Sequence, residues 1–158
     1  MNRSAAISDC ELYRYRLTRE WDNDAAQLCI VMLNPSTADA SKDDPTIRRC
    51  MRFTQDWGFN ELIMVNLFAY RTPHPSVLMK SKHPVGPGNR RALHRVCDGA
   101  QRIVVAWGTH GTHLNQESRF ADIWTDHTLY CFGVSKNDQP LHPLYQRREA
   151  KLKLYRRL

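Results

Sequence analysis

A chain of 158 residues, 42% of them hydrophobic, can bury one proper core, so a single domain over residues 1–158 is expected rather than two. The 23 Lys and Arg against 16 Asp and Glu leave a formal charge of +7, which favours a polyanion such as DNA over a neutral metabolite as partner. No apolar run reaches membrane-spanning length, and the opening MNRSAAISDCELYRYR lacks the apolar centre of a signal peptide, so a cytoplasmic protein that engages no membrane is expected.

In chain order, ELYRYRLTREW (11–21) alternates polar and apolar residues, the pattern of an antiparallel edge strand or hairpin. QLCIVML (27–33) is the first of four near-continuous apolar runs, followed by ELIMVNLFAY (61–70), RIVVAW (102–107) and TLYCFGV (128–134). Runs of this kind are covered on both faces, as in a parallel sheet flanked by helices. PTIRRCMRFTQDWG (45–58) starts with Pro45 at a favoured first helical position and stops at Gly58, so it reads as a crossover helix. TPHPSVLMKSKHPVGPGN (72–89) is the one long irregular segment. NRRALHRVCDGA (89–100), SRFADIWTD (118–126) and the tail QRREAKLKLYRRL (146–158) read as three further helices. The expected class is α/β: a three-layer α/β/α sandwich around a central, mostly parallel four-stranded sheet. The five scattered cysteines form no CxxC pair, so reduced thiols and no metal site are expected.

Ligands of open α/β sheets bind beyond the carboxyl ends of the strands. Polar residues gather at those ends here. The first run delivers Asn34, Pro35, Ser36 and Thr37; the second contains Asn66 and leads to Tyr70 and Arg71; the third delivers Gly108, Thr109 and His110; the fourth leads through Ser135 and Lys136 to His142. Each residue has a plain structural role open to it, Asn34 as a turn cap and Asn66 as a partner for backbone groups. Asn34, Asn66 and His142 together form a constellation that independent turns would rarely produce.

The order and spacing of NPS, VN and HP resemble the uracil-DNA glycosylase superfamily, whose first motif is a strand-end G-x-N-P-G or G-Q-D-P-Y and whose last begins H-P-S. VNLFAYRTP, GNRRAL and IVVAWG are similar to that family's central stretch. More closely, LNPSTAD, DDPTIRRC, WGF, VNLFAYR, PVGPGN, VVAWG and HPLY resemble a family of small bacterial and phage proteins across nearly the whole chain.

The resemblance implies a monomeric, cofactor-free DNA glycosylase that flips a pyrimidine and hydrolyses its N-glycosidic bond. Asn34 would hold the attacking water, with Asp39 or Asp44 as a nearby carboxylate if one is needed. Asp44, just before Pro45, is better suited to capping a helix. His142 would stabilise the oxyanion of the departing base. Asn66 would read the pyrimidine edge, Phe68 and Tyr70 would stack on the base, and Ser36, in place of the family's glycine, would reshape the pocket. Leu144 or Tyr145 would fill the vacated stack, while Arg71, Arg90, Arg91, Arg147 and Arg148 would meet phosphates. HPLY departs from H-P-S by losing the serine, and with Ser36 this points toward a modified cytosine or thymine, such as the glucosylated hydroxymethylcytosine of phage DNA, with uracil as the alternative base. An enzyme of free nucleosides or nucleotides, and a nucleic-acid-binding module without chemistry, are the competing readings.

Overall fold

The computed structural model describes residues 1–24 and 26–156. Its N-terminal hairpin pairs β1 (Asn2–Ile7) with β2 (Arg14–Glu20), so the alternating segment is a strand, with β1 rather than β2 at the sheet edge. The four apolar runs supply β3 (Gln27–Met32), β4 (Glu61–Asn66), β5 (Arg102–Val105) and β6 (Leu129–Cys131). Every side chain of β4 is buried, as continuous apolar character requires. The strands join in the order β1-β2-β4-β3-β5-β6-β7, with β7 at Lys153–Arg156.

The fold is α/β, but the sheet has seven strands rather than the four expected. Pairings β4/β3, β3/β5 and β5/β6 are parallel; β1/β2, β2/β4 and β6/β7 are antiparallel. Two of the additional strands were invisible to hydrophobic patterning because β1 and β7 are mostly exposed edge strands with little apolar periodicity. The tail is the clearest correction. Lys153–Arg156 pairs with β6 instead of continuing a helix, and residues 157–158 of the predicted helix lie outside the described residues. The free edge of β6 and the docking of Tyr155 decide this, since Tyr155 lies edge-on to Trp107 at 6.1 Å and donates to Glu117 Oε1 at 3.0 Å.

Helix α1 (Pro45–Asp56) runs as its sequence signals: Asp44 Oδ1 accepts from Ile47 N at 2.8 Å, Pro45 needs no donor in the first turn, and Ile47, Cys50, Phe53 and Thr54 form the buried stripe. The irregular segment contains the short helix α2 (Pro75–Lys80). Helix α3 (Asn89–Gly99) buries Leu93, Val96 and Cys97. The third predicted helix is broken at Phe120 into α4 (Gln116–Arg119) and α5 (Ala121–Trp124).

Strand alternation sorts the core in two. Cys29, Val31, Ile63 and Val65 pack with Leu93 and Cys97 of α3 and Trp124 of α5. Leu28, Ile30, Leu62 and Met64 point the other way, onto Ile47, Cys50 and Phe53 of α1. Among the described residues, no helix is long and apolar enough to cross a membrane.

Candidate functional site

Just past β3, the backbone turns away at Asn34 because the segment is stitched to the loop that follows β4. Phe68 N donates to Leu33 O at 2.9 Å and Thr72 N to Pro35 O at 2.9 Å. The Asn34 amide completes the latch: Nδ2 reaches Thr72 O at 2.9 Å, Pro35 O at 3.0 Å and Tyr70 O at 3.3 Å. Three carbonyls around one end of the amide settle its orientation, because only the NH2 end can donate. Its Oδ1 bonds no described residue and is left as an acceptor beside a cavity of about 630 Å³, within the range of small-molecule sites.

The opposite wall comes from the loop after β6. A narrow hairpin, with Ser135 N bonded to Gln139 O at 2.8 Å and Leu141 N to Gly133 O at 3.0 Å, carries His142 to the cavity. Leu144 N donates to His142 Nδ1 at 3.1 Å, so Nδ1 is unprotonated and Nε2 carries the hydrogen. Burial holds the imidazole pKa below its ordinary 6.5, against the opposing pull of the Asp44 charge. His142 is therefore a neutral donor at pH 7.

Gly108 closes the third side. Its φ of 76° and ψ of −169° belong to a region that only glycine occupies readily, and they swing the chain from β5 into a 3-10 segment, Thr109–Asn115. A Cβ at Gly111 would stand 1.9 Å from Trp107 Cδ1, so only glycine lets that backbone lie on the indole. Trp107 in turn donates Nε1 to Gln139 Oε1 at 3.0 Å, tying β5 to the His142 hairpin. Gln139 and Thr46, which also line the cavity, carried no sequence signal of their own.

Of the residues singled out in the sequence, this cavity gathers Asn34, Gly108, Thr109, His110, Ser135, His142, Leu144 and Tyr145. Tyr145 is 82% exposed and rests against the His142 ring at 5.8 Å; Leu144 is partly exposed beside it. The others lie elsewhere. Asp44 caps α1, as its position before Pro45 allows, and Asp39 closes a turn by accepting from Ser41 N at 2.9 Å and Lys42 N at 2.8 Å. Those amides hold the Asp39 carboxyl below its ordinary range, and neither carboxylate lines the cavity. Phe68 is wholly buried against His113 at 5.5 Å, Tyr70 lies edge-on to Tyr13 at 6.2 Å, and Ser36 is half-buried outside the cavity.

Asn66 sits at the same sheet edge but is sealed. It is 1% exposed, and neither its amide nitrogen nor its oxygen has a partner among the described residues. On the same face Arg14, 2% exposed, donates to Ala38 O at 3.0 Å while its Nε goes unpartnered, and burial pushes its pKa down to about 10. Arg19 holds the same loop through Asp39 O at 2.7 Å and Asp43 Oδ1 at 2.9 Å. The two buried guanidiniums thus clamp the 36–43 loop over the face that carries Asn66.

Among the cations, Arg90 is spent on an ion pair with Asp122 and a bond to Arg119 O, and Arg71 donates to Glu11 O at 3.1 Å. Arg91, Arg147 and Arg148 are exposed and make no ion pair among the described residues. Among those residues no cluster of three or more His, Cys, Asp or Glu is arranged to hold a metal ion.

The chain belongs to the family described as protein of unknown function DUF1643, whose model matches residues 14–144. No curated protein and no solved structure matches it. The matched span starts at β2 and ends at Leu144, so it includes both Asn34 and His142 and leaves out the edge strands β1 and β7.

Proposed function

We propose that this DUF1643 member is a monofunctional DNA glycosylase, acting as a monomer, that flips a modified pyrimidine and hydrolyses its N-glycosidic bond to leave an abasic site. One observation carries the reading: Asn34, whose Oδ1 acceptor bonds no described residue, and His142, whose neutral ring carries its hydrogen on Nε2, line one cavity although 108 positions separate them in the chain. Scission of the C1′–N bond sends its electron pair to the base and leaves positive charge on the sugar. His142 Nε2–H donates to the oxygen where the negative charge collects. Asn34 Oδ1 accepts from the water that adds to C1′, and the proton that this water loses passes to solvent, because an amide is no base.

Recognition of the base edge falls to groups that line the cavity, Thr109, His110, Ser135 and Gln146, with Asn66 sealed away from it. Leu144 and Tyr145, exposed at the rim, fill the stack vacated by the base, and Arg147 and Arg148 follow them toward the phosphates. The finer architecture that goes with this reading is a three-layer α/β/α sandwich of uracil-DNA glycosylase type. Its support is the four-strand parallel run β4-β3-β5-β6 and the separate core on each face.

The test incubates the protein with DNAs that carry glucosylated hydroxymethylcytosine, other natural modifications or uracil. Released bases are identified by mass spectrometry and abasic sites by alkaline cleavage. Release of one base with matching abasic sites is the expected result. Release from free nucleosides alone would make it a nucleoside hydrolase; binding without release would make it a nucleic-acid-binding module.

A further inference from the structure

A second cavity, of about 560 Å³, opens on the other side of the 3-10 segment Thr109–Asn115. One wall is the 82–87 loop, KHPVGP; the other is Leu114, Gln116 and Arg119. Its back is Tyr13, held rigid by donating Oη–H to His83 O at 2.8 Å and by stacking on Tyr15 at 6.3 Å and 11°. Tyr13, Pro84, Pro87 and Leu114 make the lining largely apolar and flat, and Leu114 is 48% exposed.

Two features of this cavity are unexplained by folding. Gln116 is 2% exposed, yet its Oε1 is buried with no partner and its Nε2 bonds no described residue. An amide kept in the interior without a partner costs stability, which a Leu at this position would not. Immediately before it, Leu114 and Asn115 both adopt left-handed backbone, φ 54° and 53°, a conformation that asparagine takes readily and leucine resists. Beside the amide stand Lys82 and Arg119, exposed cations that form no ion pair among the described residues. Lys82 and Arg119 are donors with nothing negative in the lining to satisfy them, while Gln116 Oε1 is an acceptor that no described residue satisfies.

We propose that this cavity is a nucleotide subsite in which Lys82 and Arg119 take the phosphate, while the base lies on the Tyr13, Pro84 and Leu114 surface and donates an N–H to Gln116 Oε1. A planar apolar body bearing an anion fits both halves of the lining, and the nucleotide is either free or one that neighbours the nucleotide held in the Asn34–His142 cavity. Only the second source rests on the glycosylase reading.

The test is calorimetric titration with deoxynucleoside 5′-monophosphates, with the matching nucleosides, and with a short single-stranded oligonucleotide, on wild type, Gln116→Leu and the double variant Lys82→Ala with Arg119→Ala. The monophosphate or the oligonucleotide is expected to bind, the nucleoside at least about tenfold more weakly, and both variants to lose about tenfold or more in affinity. Gln116→Leu is expected to do so while its Tm rises, which a purely structural glutamine would not allow. Saturable monophosphate binding identifies a diffusible ligand, and oligonucleotide binding alone identifies a flanking nucleotide. Failure of both to bind, equal binding of nucleoside and monophosphate, or unchanged affinity in Gln116→Leu overturns the proposal. Base release, measured on the same variants, is a separate readout, so the subsite stands or falls independently of the glycosylase chemistry.

Discussion

Asn34 and Asn66 end neighbouring parallel strands at the same sheet edge, yet the fold treats them oppositely. At Asn34 the NH2 end is engaged by three carbonyls and a single oxygen is left toward an open cavity. At Asn66 both amide atoms are buried without partners among the described residues. The difference teaches that an asparagine at a strand end keeps an atom available to a ligand where its structural bonds use only one end of the amide. A sealed, unpaired amide is a stability liability instead, of about 1–3 kcal/mol.

The largest expected effect is on chemistry at the open site. His142→Ala should lower base release by about 10²–10³-fold, as removal of an oxyanion donor does elsewhere, with DNA affinity nearly unchanged. Unaltered single-turnover rates would remove His142 from the mechanism.

Asn34 should be next, with losses in both activity and stability. Asn34→Ala forfeits the latch and leaves carbonyls short of a donor, so denaturant unfolding should show a loss of about 1–3 kcal/mol together with the fall in base release. Asn34→Asp sharpens the point. A carboxylate would turn an acceptor toward Thr72 O, Pro35 O and Tyr70 O, so it should be less stable than Asn34→Ala, although a carboxylate is the better base. If Asn34→Asp were as stable as wild type, the assigned orientation of the amide would be wrong.

Asn66→Ala should behave unlike Asn34→Ala. Removal of two unpaired polar atoms offsets the small void it creates, so the change in unfolding free energy should stay within about 1 kcal/mol of zero. A loss as large as that of Asn34→Ala would show that hidden partners satisfy the amide, and the contrast between the two asparagines would collapse.

The smallest effect is a displacement in pH. Because burial lowers the His142 pKa, the folded state binds fewer protons than the unfolded state once pH falls below about 6.5, so stability decreases on acidification through that window. Protonation also removes the Nδ1 acceptor for Leu144 N, so the acid limb of base release should have its midpoint below 6.5. Asp44 opposes the shift, and Asn caps a helix as well as Asp does, so Asp44→Asn should move that midpoint lower still without unfolding α1. An upward movement would mean that Asp44 acts on something other than the imidazole charge.

Much of the scaffold was legible in the amino-acid sequence. The four buried strands announce themselves by unbroken apolar runs, and α1 and α3 by apolar residues at helical spacing, with Pro45 marking the start of α1. Their carboxyl ends could therefore be located, and with them Asn34 and His142. These are consequences of local patterning, which depends on residues a few positions apart.

The rest needed the folded chain. Whether Lys153–Arg156 forms strand or helix depends on the open edge of β6, some 20 residues away, and not on its own composition. The roles of the asparagines depend on which carbonyls stand within 3.5 Å: for Asn34 two of the three, Tyr70 O and Thr72 O, come from a loop 36 and 38 residues downstream, and for Asn66 no described residue supplies one. Asp39 and Asp44 show the same limit, since backbone amides of their own turns claim both and keep them out of the cavity. A sequence specifies which polar groups arrive at a sheet edge; the hydrogen bonds made on arrival decide which atom of each remains free to act, because a donor or acceptor already paired within the fold has little left for a substrate.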